Sequence, residues 1–237
     1  MWNMVNIKNV VFDFDGTLVD TAPLIVKTMM QTISEMGLPS RTETECRATI
    51  GIRLAEIPHT LWPEREGIGD EYARVYRKIF DELKRPLGVS CFPGVIETLR
   101  ELQRNGVGMA IASSRSHSSL AEYVDLFALE EIFVMLVGGD DVSHGKPAPD
   151  PVLRITETLR WNPVETLTVG DAAVDILMGK GAGTKTCAVT YGNGTRAELS
   201  SANPDYMISD FRELTKIIIP SSDKTQIVFK RMARSQI

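Results

Sequence analysis

Hydrophobic and polar positions divide the chain into a short apolar strand, a helical block and a long alternation of strands and helices. Residues 10–12 are apolar and typical of a buried parallel strand, which needs apolar side chains on both faces. Apolar residues then recur at helical spacing over residues 25–36 and 69–85, and Thr42 with Glu45 forms a capping-box signature. No segment between residues 21 and 85 has a strand pattern. We therefore predict a helical insert directly after the first strand.

From residue 93 onward the pattern alternates between the two kinds of element. It predicts helices over residues 94–105, 116–128, 149–160 and 172–181, and strands over 107–112, 133–137, 166–169, 186–190 and 206–208. Such alternation implies right-handed crossovers and a parallel sheet. The predicted fold class is α/β, with a Rossmann-like parallel sheet core of residues 1–16 and 87–220. An all-helical cap domain occupies residues 17–86 and returns through residues 86–88, and residues 221–237 form a tail whose packing the pattern leaves undecided.

Composition narrows the possible partners and compartment. The chain has 237 residues, 43% of them hydrophobic, and a net charge of −5, which argues against a general nucleic-acid or anionic-membrane binder. Its three cysteines are far apart and fit buried reduced thiols. The sequence has no signal peptide and no bilayer-spanning apolar run, so we expect a cytoplasmic protein. The three histidines show no metal-ligand spacing.

Two carboxylates follow the first strand. Asp13 and Asp15 are two residues apart, so an extended backbone would direct both toward one small space. Two anions at such a short distance repel each other. A divalent cation that prefers oxygen ligands, above all Mg²⁺, relieves this repulsion. Gly16 allows a sharp turn straight afterwards. The alternative is an ordinary strand end whose acids cap the next helix.

Polar residues also follow three later predicted strands. Ser113 directly follows residues 107–112. Its hydroxyl and the backbone amides of Ser114 and Arg115 could bind phosphate oxygens. The alternative is that Ser113 is an ordinary helix cap. Lys146 lies between Gly145 and Pro147 just before a helix. A cationic group there could neutralise both a phosphate and a carboxylate.

The last of these strand ends carries two more acids. Asp171 and Asp175 follow residues 166–169, at a second predicted strand end with carboxylates. The alternative for both is a helix N-terminus whose acids complement the helix dipole.

These strings resemble four motifs of the haloacid dehalogenase-like hydrolase superfamily. They read Asp-Phe-Asp-Gly-Thr-Leu, then an apolar strand closed by Ser113, then Gly-Lys-Pro-Ala-Pro-Asp, and finally Gly-Asp-Ala-Ala-Val-Asp. The resemblance extends to about residue 219 and is strongest to phosphoglycolate phosphatases and to related pyrophosphatases and phosphosugar phosphatases with a helical cap. One departure is Ala172, where family members often carry Ser or Thr.

The resemblance implies a Mg²⁺-dependent phosphatase acting on a small phosphorylated metabolite through an aspartyl-phosphate. The implied catalytic residues are Asp13 as nucleophile, Asp15 as acid and base, and Ser113 and Lys146 as stabilisers of negative charge. The implied metal-site residues are Asp13, Asp15 through its carbonyl, Asp171 and the supporting Asp175. The candidate substrate-binding residues are Gly16, Thr17, Ser114, Arg115, and Thr49 and Arg53 of the cap. A monomer or homodimer is expected.

Other functions on the same fold remain open from the sequence. Asp15 argues against a dehalogenase, which lacks the second acid. A β-phosphoglucomutase-like phosphomutase would carry a histidine early in the cap, whereas no histidine precedes His59. A phosphate-binding regulatory protein with low turnover is the remaining alternative, and Ala172 is the one residue that favours it, because it removes a hydroxyl that would support the metal.

Overall fold

The computed structural model describes residues 6–219, so the predicted tail of residues 221–237 lies outside the described part of the chain. Six strands form one parallel sheet in the order β5-β4-β1-β6-β7-β8. These strands are β1 (Asn9–Phe12), β4 (Gly108–Ala112), β5 (Met135–Val137), β6 (Thr166–Gly170), β7 (Lys185–Val189) and β8 (Tyr206–Ile208). The other two strands, β2 (Val19–Asp20) and β3 (Ser90–Cys91), pair antiparallel with each other.

Helices separate the strands of the main sheet along the chain, and one follows the last strand. Four helices lie between β2 and β3: α1 (Ala22–Glu35), α2 (Glu43–Arg47), α3 (Ile57–Leu61) and α4 (Gly69–Leu87). Six follow β3: α5 (Val95–Arg104), α6 (His117–Leu126), α7 (Asp150–Leu159), α8 (Ala173–Gly181), α9 (Arg196–Ser201) and α10 (Leu214–Ile218). Among the described residues no helix is both long and apolar enough to cross a bilayer. The α/β fold class predicted from the sequence, with its parallel sheet and inserted helices, is confirmed.

Alternate side chains of β1 pack on opposite faces of the sheet. Val10 and Phe12 join a large hydrophobic cluster that also contains cap residues such as Met29 and Trp62. Val11 joins a second cluster under α7 and α8. Both faces of β1 are thus covered, which explains its uninterrupted apolar sequence.

The register of the central strands determines where the polar residues lie. Phe12 pairs with Ile111 of β4 on one side and with Val169 of β6 on the other. Strand β1 ends at Phe12, and β4 and β6 end one residue beyond the paired positions, so the residues after all three strands leave the sheet at one edge. Because β1 connects toward β4 while β6 lies on its other side, this edge is a topological switch point, where α/β proteins bind ligands.

Details of the helical insert differ from the sequence prediction. Helix α4 runs through Pro86 to Leu87, so the return begins at Gly88, which has a positive φ of 63°. The chain passes from the core to the insert and back through the antiparallel strands β2 and β3, in which Val19 pairs with Cys91. Two-residue strands are too short to give a period-2 pattern in the sequence. Most other element ends shift by one or two residues, and the domain boundaries stay predictions.

Candidate active site

Lys146 lies between two carboxylates at the carboxyl edge of the sheet. Its Nζ donates to Asp13 Oδ1 and to Asp175 Oδ1, the latter at 2.7 Å. All three side chains are buried. Burial alone would lower the pKa of Lys146, but the two adjacent carboxylates raise it above the ordinary lysine value. The two carboxylates therefore favour the ammonium form of Lys146 inside the site.

Three acids converge beside this lysine. One carboxylate oxygen from each of Asp13, Asp171 and Asp175 lies within 4.8 Å of the other two. Burial raises the pKa of Asp13 well above its usual value, although the charge of Lys146 acts in the opposite direction. The charges of Asp175 and Asp171 raise this pKa further. Burial and the charge of Asp175 raise the pKa of Asp171 to about 7. Buried carboxylates this close together repel each other when they ionise. A hard divalent cation that binds their oxygens offsets this repulsion.

The loop after β7 contacts Asp171 through Asn193. Asn193 donates its backbone N–H to Asp171 Oδ2 at 2.6 Å and its side-chain amide to the same oxygen at 3.1 Å. Thr17 donates its hydroxyl to Asp171 Oδ1 at 3.2 Å. Gly16, at φ +90°, leaves the space that this carboxylate occupies, since a Cβ there would lie 2.2 Å from Oδ2. Gly16 and Thr17, predicted as substrate contacts, thus also build the acidic cluster.

Asp15 faces away from the three acids. Its carboxylate accepts from Arg115 Nε and Nη2 and from the Thr21 hydroxyl, which lies 2.5 Å from Oδ1. Arg115 was predicted as a substrate contact, and its pairing with Asp15 across 100 residues has no signature in the sequence.

Aromatic rings surround the Arg115 guanidinium. Its carbon lies 4.6 Å from the ring centroid of Tyr123, 5.8 Å from that of Phe14 and 5.2 Å from that of Phe80 on cap helix α4. Such contacts stabilise a cation that is largely removed from water. The cap and the core therefore meet at the residue that holds Asp15.

Ser113 and Ser114 make different contacts. Ser113 is buried, and its Oγ accepts the backbone N–H of Arg115 at 3.2 Å. Ser114 donates its hydroxyl to the carbonyl of Gly51 in the cap at 2.6 Å. A hydrogen bond from Ser114 therefore connects the predicted phosphate-binding turn to the cap.

Arg53 makes a second connection between cap and core. Its Nη2 donates to the carbonyl of Val142 at 2.7 Å and its Nη1 to the carbonyl of Ser143 at 3.0 Å. Both carbonyls belong to the loop that leads to Lys146. Gly145 leaves space for this contact, because a Cβ there would lie 2.5 Å from Arg53 Nε. The other predicted cap residue, Thr49, is buried and donates its hydroxyl to the carbonyl of Cys46 at 2.8 Å.

A cavity of about 560 Å³ lies between the cap and the carboxyl edge of the sheet. Asp13 and Asp15 lie at its floor, and Thr49 and Arg53 line its cap side. The structure thus brings Asp13, Lys146, Asp171 and Asp175 into one cluster and places Asp15 beside it.

Asn193 is a site residue that the sequence analysis did not predict. The Gly-Asn-Gly turn after a strand end was the available signal for it.

Comparisons with known proteins agree with this geometry. The family model described as haloacid dehalogenase-like hydrolase matches residues 10–189. A pyrophosphatase PpaX from Anoxybacillus flavithermus is 32% identical over 214 residues, which cover 90% of this chain and 98% of the relative. A phosphoglycolate phosphatase from Salmonella paratyphi A is 29% identical and covers 96% of this chain and 99% of its own. A solved haloacid dehalogenase-like family hydrolase from Streptococcus pneumoniae superposes with a TM-score of 0.79 at 25% identity, covering 89% of this chain and 97% of its own.

Proposed function

The chain belongs to the haloacid dehalogenase-like hydrolases and is a phosphatase of that family, and we propose that it hydrolyses a small phosphorylated metabolite with Mg²⁺ as cofactor. One observation carries the proposal: the buried Lys146 pairs with Asp13 beside the acids Asp171 and Asp175. A buried cation next to a carboxylate that protrudes into a cavity suits the binding of a phosphoryl group to that carboxylate.

In the proposed reaction Asp13 attacks phosphorus. A bond forms between a carboxylate oxygen of Asp13 and phosphorus, while the bond from phosphorus to the ester oxygen breaks. Asp15 gives a proton to the departing oxygen and then takes one from the water that attacks the aspartyl-phosphate. The second step releases inorganic phosphate and restores Asp13. Lys146 and the Ser113 hydroxyl stabilise the negative charge on the phosphoryl oxygens.

The acidic cluster fits the proposed cation. Mg²⁺ prefers carboxylate and carbonyl oxygens, and Asp13 and Asp171 would hold it together with the Asp15 carbonyl. Asp175 supports the site, because its two oxygens accept from Lys146 at 2.7 Å and from the Ala172 amide at 3.0 Å. When bound, the cation neutralises the carboxylates and the phosphoryl oxygens.

The relatives' names suggest phosphoglycolate-like compounds or pyrophosphate as the substrate, and a sugar phosphate stays a prediction from the sequence. Cytoplasmic location and a monomeric or homodimeric state stay predictions from the sequence.

The test is phosphate release from a panel of phosphorylated metabolites, with and without MgCl₂, in wild-type protein and in Asp13→Asn. We expect release that requires both Mg²⁺ and Asp13. An exposed Asp125→Asn variant serves as the matched control. Movement of the phosphoryl group within a sugar phosphate, without release of phosphate, would instead support a phosphomutase. Phosphate binding without turnover would support a regulatory protein.

A further inference from the structure

The cavity above Asp13 is large for the small anions that the relatives' names suggest. Its volume is about 560 Å³. An apolar cavity of about 150 Å³ already accommodates a benzene molecule. After a phosphoryl group has been placed at the floor, the space that remains exceeds the size of one aromatic ring.

The walls above the floor are predominantly apolar. The apolar lining comes from the cap helices and the turn after α2, where Ile25, Met29, Ile50 and Phe80 are buried and Ile52 and Leu54 are more exposed. Ile52 and Leu54 are half-buried, so part of their apolar surface is available to a ligand. A substrate group that covers this surface gains free energy by removing it from water.

Two arginines that line the cavity already make polar contacts with the protein. Arg115 pairs with Asp15, with Nη2 lying 2.7 Å from Oδ1. Arg53 donates to the carbonyls of Val142 and Ser143. Arg115 would have to break its contacts in order to bind a second anion, whereas the buried Nε of Arg53 has no hydrogen-bond partner.

The remaining charges that line the cavity are of both signs. Lys84 lies 2.7 Å from Glu122 and 3.0 Å from Asp81. Arg77 is exposed on α4. Asp140, Asp81 and Glu122 also line the cavity together with Lys84 and Arg77, so the lining charges largely offset one another.

We propose that the substrate is a phosphomonoester whose alcohol part is predominantly apolar and at least as large as an aromatic ring. Its phosphoryl group lies at Asp13 and its apolar group packs against Ile52 and Leu54. This inference rests on the proposed phosphatase activity and specifies the substrate class of the same site.

Binding of non-hydrolysable analogues tests the inference apart from turnover. Calorimetry with MgCl₂ compares 2-(2-naphthyl)ethylphosphonate with phosphonoacetate, which carries a carboxylate in place of the apolar group. We expect the naphthyl compound to bind at least tenfold more tightly. Equal affinities, tighter binding of phosphonoacetate, or no binding of the naphthyl compound at millimolar concentration overturns the inference.

A matched pair of variants locates the apolar contact. Leu54→Asn places a polar group on the cavity wall and should weaken naphthyl binding at least fivefold while leaving phosphonoacetate unchanged. Leu126→Asn makes the same change at a leucine that is 66% exposed and should change neither affinity. If both variants bind the naphthyl compound like wild type, the proposed contact with the wall is wrong.

Turnover distinguishes failure of this inference from failure of the proposed function. Ethyl phosphate, 2-(2-naphthyl)ethyl phosphate and phosphoglycolate all have alkyl leaving groups, so differences in kcat/KM report mainly on recognition. The inference predicts the highest kcat/KM for the naphthyl ester. Efficient hydrolysis of phosphoglycolate with little hydrolysis of the naphthyl ester overturns the inference and leaves the phosphatase intact. Tight naphthyl binding without hydrolysis of any ester supports the inference and refutes the proposed function.

Discussion

The guanidinium of Arg115 lies against the carboxylate of Asp15, with Nε 2.8 Å from Oδ2 and Nη2 2.7 Å from Oδ1. Both side chains are largely buried, at 10% and 12% exposure. A bidentate ion pair of this kind restricts the Asp15 carboxylate to one orientation. Because Phe80 of the cap packs on the same guanidinium, the position of the cap and the orientation of Asp15 are physically linked.

Replacement of Arg115 tests this link. Arg115→Ala should free the Asp15 carboxylate and impair protonation of the leaving oxygen. We expect kcat for an alkyl phosphate to fall by about 10- to 100-fold, the scale of one charge-assisted hydrogen bond, and kcat for p-nitrophenyl phosphate to fall much less. Steady-state kinetics on both substrates measures the difference. Arg115→Lys should recover part of the activity, and Arg100→Ala on the exposed face of α5 is the control. Equal losses on both substrates would mean that Arg115 only supports the fold.

Arg53 should affect all substrates alike. Its two terminal nitrogens donate to the carbonyls of Val142 and Ser143, so Arg53→Ala should loosen the cap and the loop before Lys146. We expect kcat/KM for phosphoglycolate and for p-nitrophenyl phosphate to fall by a similar factor of about ten. A loss confined to phosphoglycolate would show instead that Arg53 releases these carbonyls and binds the substrate carboxylate.

The pKa of Asp171 gives the metal site a definite pH dependence. Burial and Asp175 raise this pKa to about 7, compared with about 3.9 in an unfolded chain. Without metal, the protonated acid favours the fold, and this contribution is lost as the pH rises from about 4 through 7. Mg²⁺ requires the ionised acid and should therefore bind more tightly at pH 8 than at pH 5.

Thermal unfolding measures this effect. Saturating MgCl₂ should raise the Tm by about 5 °C at pH 8 and by much less at pH 5. Asp171→Ala should abolish the rise, whereas the exposed Asp125→Ala should retain it. An equal rise at both pH values would contradict the account of Asp171.

Chelation gives a further prediction. Excess EDTA should remove phosphatase activity, added Mg²⁺ should restore it, and Ca²⁺ should inhibit, because Ca²⁺ prefers more ligands at longer distances than this compact acidic cluster offers. The measurement is phosphate release after dialysis against chelator, followed by titration with each ion. Full activity in excess chelator would exclude the proposed role of the metal.

The sequence predicted the parts of the molecule that follow from local patterns. The apolar run of β1 and the acids after it placed Asp13 at the carboxyl edge of a parallel sheet. Lys146 and Asp171 follow other buried segments, and parallel strands bring such ends together. Three separate stretches of chain could therefore be assigned to one site before any distance was known.

Partners of long side chains could not be predicted in this way. Arg115 carries a guanidinium that can reach several positions, and its partner Asp15 lies 100 residues away. Arg53 donates to carbonyls, and every residue has one, so composition cannot identify them. Asn193 reaches Asp171 because of the path of a loop, which depends on tertiary packing. The strands β2 and β3 have only two residues each and leave no periodic pattern.

The most direct test of the central claim is a search for phosphate on Asp13. In Asp15→Asn the activated ester p-nitrophenyl phosphate should still phosphorylate Asp13, while attack by water is slowed for lack of a base. Rapid mixing should give a burst of about one p-nitrophenolate per protein, and borohydride reduction of the quenched protein should convert Asp13 to homoserine, detected by mass spectrometry. Absence of a burst together with an unmodified Asp13, or phosphate on another residue, would contradict the mechanism.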